Sequence, residues 1–252
     1  MPRRQPVARA AVPGDPARIP TKQRIEQAAL QLFAAKGFEG TGIRDIADRA
    51  GLSTSALYHY MGSKDELLIA FMVESMTELT RVAQAALDGV ADPAARLAAL
   101  VRTHVGFHTL DAQRSMVADD ELRAVSDAAF TRVMQLRDGY ERLWAETLEH
   151  GRRTGEFSYA DARITRLALL EMCSGVARWY SDRGPRHPAE IADAFADLAL
   201  SMVSARLDGQ PVQAADLPGR PTREILALVD AEMRGADESS ADGARLEPHP
   251  AR

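Results

Sequence analysis

The sequence predicts an all-α protein, and three observations predict it. Apolar residues recur at the i, i+3, i+4, i+7 spacing of one-faced helices through most of residues 21–206. No segment alternates with period two for long enough to make a credible strand. Helix caps and glycine or proline stops punctuate the chain between the periodic stretches. The 252 residues, 46% hydrophobic and 27% charged, hold enough apolar side chain for a real core. No apolar run approaches the roughly 18 residues of a membrane span. A single cysteine, Cys173, excludes a disulfide scaffold and a cysteine-clamped zinc site. The opening residues lack the apolar stretch of a secretory signal, so a cytoplasmic protein is expected.

Residues 1–20, rich in proline and carrying Arg3, Arg4, Arg9 and Arg18, read as a disordered basic arm, either an inert tail or one that reaches a minor groove. A first helix follows, with Thr21 as cap, Ile25, Ala28, Ala29, Leu32 and Phe33 on its buried face, and Gly37 as stop. A second carries Ile43, Ile46, Ala47 and Ala50 and ends at Gly51. Ser53 caps a third over about Thr54–Tyr60. Ser63 and Glu66 form a capping box that starts a long helix to about Leu87. Asp92-Pro93 opens another. Further helices are expected over about Gln113–Leu122, Ser126–Arg153, Asp161–Tyr180 and 188–206. Beyond Asp208 the composition turns to Gly, Pro, Ala and acidic residues. Residues 208–252 therefore read as a mostly disordered tail with a short helix possible at 222–234.

The net charge of −5 conceals an asymmetry. Residues 1–70 carry a balance of +3 and the remainder −8, and all three lysines (Lys22, Lys36 and Lys64) lie in the first part. A mildly basic module on an acidic body is compatible with one end meeting phosphates. Residues 41–60 supply a matching motif, two short helices about a glycine turn. Ala47 is small where the helices cross, Gly51 allows the positive φ of the turn, and Ile46, Leu52 and Leu57 hold the pair at a fixed angle. Thr54, Ser55, Tyr58 and His59 then face outward, groups suited to a major groove.

Residues 22–68, from Phe33-Ala-Ala-Lys36-Gly37-Phe38 through Ile43-Arg44-Asp45-Ile46-Ala47, Leu57-Tyr58-His59-Tyr60 and Ser63-Lys64-Asp65-Glu66-Leu67, closely resemble the N-terminal domain of TetR-type transcriptional repressors. Tyr60 departs from the aromatic pair more usual there. The resemblance implies a DNA-binding domain over 21–68 and a ligand-binding and dimerisation domain over 69–207. It also implies a homodimer on a palindromic double-stranded operator, released when a small molecule enters the C-terminal domain. Carried over residue by residue, Arg44 is a base or phosphate contact, Thr54 and Ser55 face base edges, and Tyr58 and Lys64 are phosphate ligands with Tyr60 and His59 beside them. The alternatives are a packing role for either tyrosine and a solvated first-turn position for Lys64.

The C-terminal half, through Asp138-Gly-Tyr140-Glu-Arg142-Leu-Trp144 and Gly175-Val-Ala-Arg178-Trp179-Tyr180, more loosely resembles a TetR-type subgroup that senses acyl-CoA thioesters. That likeness assigns Arg178 to the ligand. Phe107, Met116, Phe130, Met134, Trp144 and Met172 are candidates for an apolar tunnel, against ordinary core packing for each apolar residue and a structural ion pair for Arg178. It also implies dimer pairing through helices 161–180 and 188–206, with half-site centres roughly 34–36 Å apart or a multiple of that. A metal-responsive sensor using His104 and His108 is the rival reading, with Asp119, Asp120 or Glu121 near. A transcriptional activator of the same fold is another. No phosphate-binding loop, dinucleotide fingerprint or nucleophile elbow occurs, so neither an enzyme nor a bound cofactor is expected.

Overall fold

The computed structural model describes residues 19–242, with side chains as far as residue 235. The expected arm, apart from its last two positions, and residues 243–252 lie outside the described residues. The order is α1 (Thr21–Lys36), α2 (Ile43–Ala50), α3 (Thr54–Tyr58), α4 (Lys64–Leu87), α5 (Pro93–Leu110), α6 (Ala112–Asp120), α7 (Asp127–Thr154), α8 (Ala162–Ser174), α9 (Pro188–Met202) and α10 (Thr222–Asp242). No helix among the described residues is long and apolar enough to cross a membrane.

Local chemistry starts most of these helices where the sequence says it should. Ser53 accepts from the Ala56 amide at 3.1 Å, Ser63 from Glu66 at 3.0 Å, Asp92 from Ala95 at 2.6 Å and Asp161 from Ile164 at 2.8 Å. Each such cap contributes about 1 kcal/mol. No side-chain bond caps α2, whose cap position is Gly42, or α7 at Ser126, and in α1 Thr21 is already helical with Pro20 at the cap position.

Two apolar clusters organise the chain. The first joins α1, α2 and α3 through Ile25, Phe33, Ile46 and Leu57. It extends past the expected boundary at 68 to Phe71 and Met72 of α4, and takes in Val117 and Ala118 of α6 and Val133 of α7. The second is built around α5, which is buried on nearly every side between α4, α7, α8, α9 and α10. Most of its residues are apolar or small, as suits a helix held in an interior.

Three expectations about the C-terminal half are corrected. The helix expected to run to Tyr180 ends at Ser174 and tightens into a 3₁₀ turn over Gly175–Arg178. Gly175 disfavours helix continuation. A short antiparallel pair, Arg206–Leu207 with Gln210–Pro211, appears where no strand was expected. Its turn residues Asp208 (φ 49°) and Gly209 (φ 78°) are the Asp-Gly signal of a tight hairpin.

The third correction concerns the tail, which is docked as far as it is described. Ile225 and Val229 of α10 are fully buried and Leu226 nearly so. Gly106 of α5 permits this approach: a Cβ there would stand 2.3 Å from Leu226 Cδ2. Polar anchors fix the connection. Asp193 accepts from Arg102 Nε (2.8 Å) and Thr222 Oγ1 (2.5 Å), while Asp197 accepts from the Ala214 amide at 2.7 Å. Ile225→Ala is therefore expected to lower the unfolding free energy by about 2–4 kcal/mol. Urea denaturation at fixed protein concentration checks this, with the exposed Glu224→Ala expected within about 0.5 kcal/mol of the parent.

Candidate nucleic-acid interface and effector cavity

The turn between α2 and α3 is closed by backbone geometry. Gly51 takes φ 69°, and the Leu52 amide donates to the Ala47 carbonyl at 2.9 Å. Ile46, Ala47 and Leu57 are buried and set the angle between the helices. Around α3 the surface is polar and aromatic: Arg44, Ser55 and His59 are exposed, Thr54 half-buried, Tyr58 54% exposed and Tyr60 48%. Neither tyrosine is a core residue. None of these six side chains makes a hydrogen bond or ion pair with the described residues. Their neighbours are occupied: Asp45 accepts from the Gly42 amide (3.3 Å) and Lys36 (3.2 Å), which together hold its carboxyl below the usual range, and Arg49 donates to Gln31.

Lys64 has a structural role besides the phosphate contact expected of it. Its ammonium donates to the carbonyls of Phe38 (2.9 Å) and Thr41 (3.1 Å) and lies 4.0 Å from the centre of the Phe38 ring. It is not a solvated first-turn residue; it clamps the α1–α2 loop to the start of α4 with two of its three N–H donors. Glu121 grips the same loop from the other domain, accepting from the Phe38 amide at 2.9 Å. That contact spans 83 positions, and no local pattern announces it.

A cavity of about 260 Å³ lies between α4, α5, α6, α7 and α8. Of the tunnel candidates, Phe107 and Met116 line it, and Arg178 stands at its edge. The other four do not. Trp144 is fully buried in the core behind His104, with ring centres 5.9 Å apart. Met172 packs into the same core. Phe130 is 42% exposed and Met134 is half-buried one turn later on the same face of α7, while Ala129 and Val133 face inward. Apolarity and spacing mark residues as inward-facing without saying which interior they face.

Arg178 makes a two-pronged pair with Asp120 of α6 (Nη2–Oδ1 2.6 Å, Nη1–Oδ2 3.3 Å). Its side chain stays 63% exposed, so the pair is accessible to a competing anion. Asp119 points the other way, to Arg137 at 2.7 Å and His108 Nε2 at 3.4 Å. Burial pushes the Asp119 carboxyl up, but His108 and Arg137 outweigh burial and hold it below the ordinary range.

The two histidines do not form a metal site. Their rings stack at 4.2 Å with planes 5° apart, so they run parallel instead of converging. Both nitrogens of His104 are occupied, by Tyr140 Oη and Ser174 Oγ at 2.9 Å each, and His108 Nδ1 donates to the His104 carbonyl. No cluster of three or more metal-ligating side chains occurs among the described residues. Cys173 is buried, and burial pushes its thiol up, away from reactivity.

Burial, then the neighbouring His108 and Arg137, lowers the His104 pKa well below its usual 6.5. The unfolded chain therefore binds a proton near pH 6.5 that the folded chain refuses. Stability is full above about pH 6.5 and declines as pH falls below it. Asp119 stays ionised through that window, because its own pKa lies below 3.8. Urea denaturation between about pH 7.5 and 5 should show a falling unfolding free energy, with a shallower slope in His104→Gln.

Comparison with known proteins agrees with this architecture. Residues 25–71 match the family model described as bacterial regulatory proteins, tetR family, and residues 90–203 match the tetracyclin repressor-like C-terminal domain. The HTH-type transcriptional repressor KstR2 of Rhodococcus jostii (strain RHA1) is 31% identical over 180 residues, covering 68% of this chain and 85% of that protein. The crystal structure of the TetR family regulator PfmR from Thermus thermophilus superposes with a TM-score of 0.64 at 31% identity, covering 71% of this chain and 97% of that one. AibR, solved in complex with isovaleryl coenzyme A and operator DNA, shares the fold at 21% identity, with a TM-score of 0.64 over 71% of this chain and 97% of its own. The chain belongs to the TetR family of DNA-binding transcriptional regulators.

Proposed function

We propose that the protein is a ligand-responsive repressor that binds a palindromic operator as a homodimer and releases it when a small molecule enters the cavity. The observation that carries this reading is that one helix serves both sites. α6 walls the cavity with Ser115, Met116 and Asp119, and Glu121 just beyond its end holds the α1–α2 loop of the DNA-binding domain. Arg114 of α6 also pairs with Glu78 (3.1 Å) and Glu74 (3.2 Å) of α4, the helix that runs between the domains. A ligand that shifts α6 shifts the frame of α2 and α3. The name of the relative KstR2 supports repression as the sign of control.

On the DNA side, Thr54 and Ser55 meet base edges, and Arg44, Tyr58, His59 and Tyr60 contact phosphates or bases. Lys64 contributes by holding the loop. Two recognition surfaces come from a dimer through α8 and α9. Ile164 of α8 and Leu198 and Met202 of α9 are large apolar side chains left 41–67% exposed. They lie at helical spacing on faces that a two-fold axis would cover. Leu198→Arg is expected to shift the protein to a monomer by size-exclusion chromatography with light scattering, with helical content retained and operator affinity lost.

On the ligand side, we favour an acyl-CoA thioester. The cavity of about 260 Å³ suits an acyl group, leaving the nucleotide outside at the Arg178 edge. There a phosphate replaces Asp120 on the guanidinium. AibR is a protein of this fold that holds a CoA thioester. Fluorescence anisotropy at fixed salt on DNA from the protein's own upstream region tests the whole reading. Selective binding abolished by a CoA thioester but not by its free acid is expected. Arg178→Ala should keep operator binding and lose that response, whereas Tyr58→Phe should weaken operator binding and leave ligand affinity unchanged. An Arg178→Ala variant that responds like the parent overturns the ligand assignment.

A further inference from the structure

Ser75 on α4 and Ser115 on α6 are 4% and 3% exposed, and both line the cavity. Neither hydroxyl has a hydrogen-bond partner among the described residues. Buried helical threonines in this protein bond back to the carbonyl four residues earlier. Thr103 does so to Ala99 at 2.8 Å, Thr109 to Val105 at 2.9 Å and Thr147 to Leu143 at 2.8 Å. The same local solution is open to Ser75 and Ser115, and neither takes it. Arg137 of α7 also lines the cavity and its Nε is buried and unpartnered, although Nη2 of the same guanidinium serves Asp119 and the Ala118 carbonyl. Three of the few buried polar atoms left without partners thus belong to side chains around one cavity, on three different helices. Buried polar groups are rarely left in this condition, because each unmade bond destabilises the fold.

We infer that the inner part of the cavity is a hydrogen-bonding subsite, formed by Ser75, Ser115 and Arg137, for an uncharged oxo oxygen on the effector's acyl group. The chemistry of the wall selects this class. Two hydroxyls can each donate, and a guanidinium N–H can only donate, so together they complement an acceptor with two lone pairs. A second carboxylate is disfavoured, because the charge of Arg137 is already matched by Asp119 at 2.7 Å. A plain hydrocarbon would leave all three buried polar atoms without partners. The oxygen also ties α4 to α6, the two helices that carry the Arg114 pairs, so its binding is sensitive to their relative position.

This inference rests on the effector reading above for its delivery as a thioester, so the experiment separates the two. Isothermal titration calorimetry on the full chain, without DNA, compares 5-oxohexanoyl-CoA with hexanoyl-CoA, and cyclohexanone with cyclohexanol methyl ether is run as a small-molecule pair by ligand-observed NMR. The parent should prefer 5-oxohexanoyl-CoA by about 10-fold or more, two or three hydrogen bonds being at stake. Ser75→Ala and Ser115→Ala should each reduce that preference about 3- to 10-fold, leaving hexanoyl-CoA affinity unchanged or higher. Their Tm should be equal to or above the parent's, since each removes an unpaired hydroxyl, and retained operator affinity shows that they fold. Equal binding of both thioesters, unaltered by either serine variant, overturns the subsite and leaves the thioester reading standing. If neither thioester binds but cyclohexanone does, and loses its signal in both serine variants, the subsite stands and the thioester reading falls. No binding of either thioester together with a cyclohexanone signal indifferent to the variants, or absent, overturns both.

Discussion

The architecture depends on how three consecutive acidic residues at the end of α6 are dispersed. Successive residues at a helix end turn by about 100°, so Asp119, Asp120 and Glu121 leave in three directions. Asp119 goes inward to His108 and Arg137, Asp120 outward to Arg178, and Glu121 to the Phe38 amide in the other domain. Side by side in water these carboxylates would repel one another. Each is instead held by a cation or a backbone donor supplied by a different element, α5 and α7, the 3₁₀ turn, and the α1–α2 loop. The end of α6 is therefore located by three independent parts of the fold, and none of them can move without the others registering it.

The interior behind this helix is polar to a degree that needs justification. Arg114, Glu78, His104, His108, Thr103 and Thr109 are all buried. A buried pair such as Arg114–Glu78 is poor evidence of net stability, because its desolvation opposes its Coulomb attraction. It is nonetheless costly to break, at about 3–5 kcal/mol when one partner is removed, because the other is left uncompensated. Such a pair specifies geometry more than it adds stability: it fixes α6 on α4 in one register. The stacked histidines do similar work on α5, where His104 joins Tyr140 to Ser174 through its two nitrogens.

How much of this is legible in the sequence follows the range of the interactions. The helix-turn-helix is written locally: Ser53 caps α3, Gly51 makes the turn and Ala47 allows the crossing, all within a few residues. The starts of α4, α5 and α8 are legible for the same reason. The docking of α10 is not, because it depends on a missing Cβ at Gly106 and a carboxylate at Asp193, both far away in the chain. Its own composition, acidic and rich in small residues, resembles that of an unfolded tail. Among the site residues, the fold brings Arg178, Phe107 and Met116 to the cavity and sends Trp144, Met172, Phe130 and Met134 elsewhere. A one-dimensional apolar stripe reports that a side chain turns inward; it carries no information about whether a core or a void lies there. Lys64 escapes a sequence reading for a related reason, since its charge is visible and its two carbonyl partners, 23 and 26 residues earlier, are not.

The links on α6 differ in strength in the order a switch would require. The outer pair, Arg178–Asp120, is largely exposed, and ion pairs of that kind contribute about 0–1 kcal/mol. An anionic ligand arriving at the cavity edge can therefore displace Asp120 at small cost and form its own two-pronged bond to the guanidinium. The inner pair from Arg114 to Glu78 resists displacement, so in the proposed release α6 would pivot about its first turn and not dissociate. The end that would move in that proposal carries Glu121, one residue beyond Asp120, and with it the hydrogen bond to Phe38 in the loop that leads into α2. To carry a protein from mostly bound to mostly released, a ligand must discriminate between the two states by several kcal/mol. A weak outer latch contributes little of that by itself. The margin has to come from the interior of the cavity, where buried polar atoms without partners make the difference between an occupied and an empty site large.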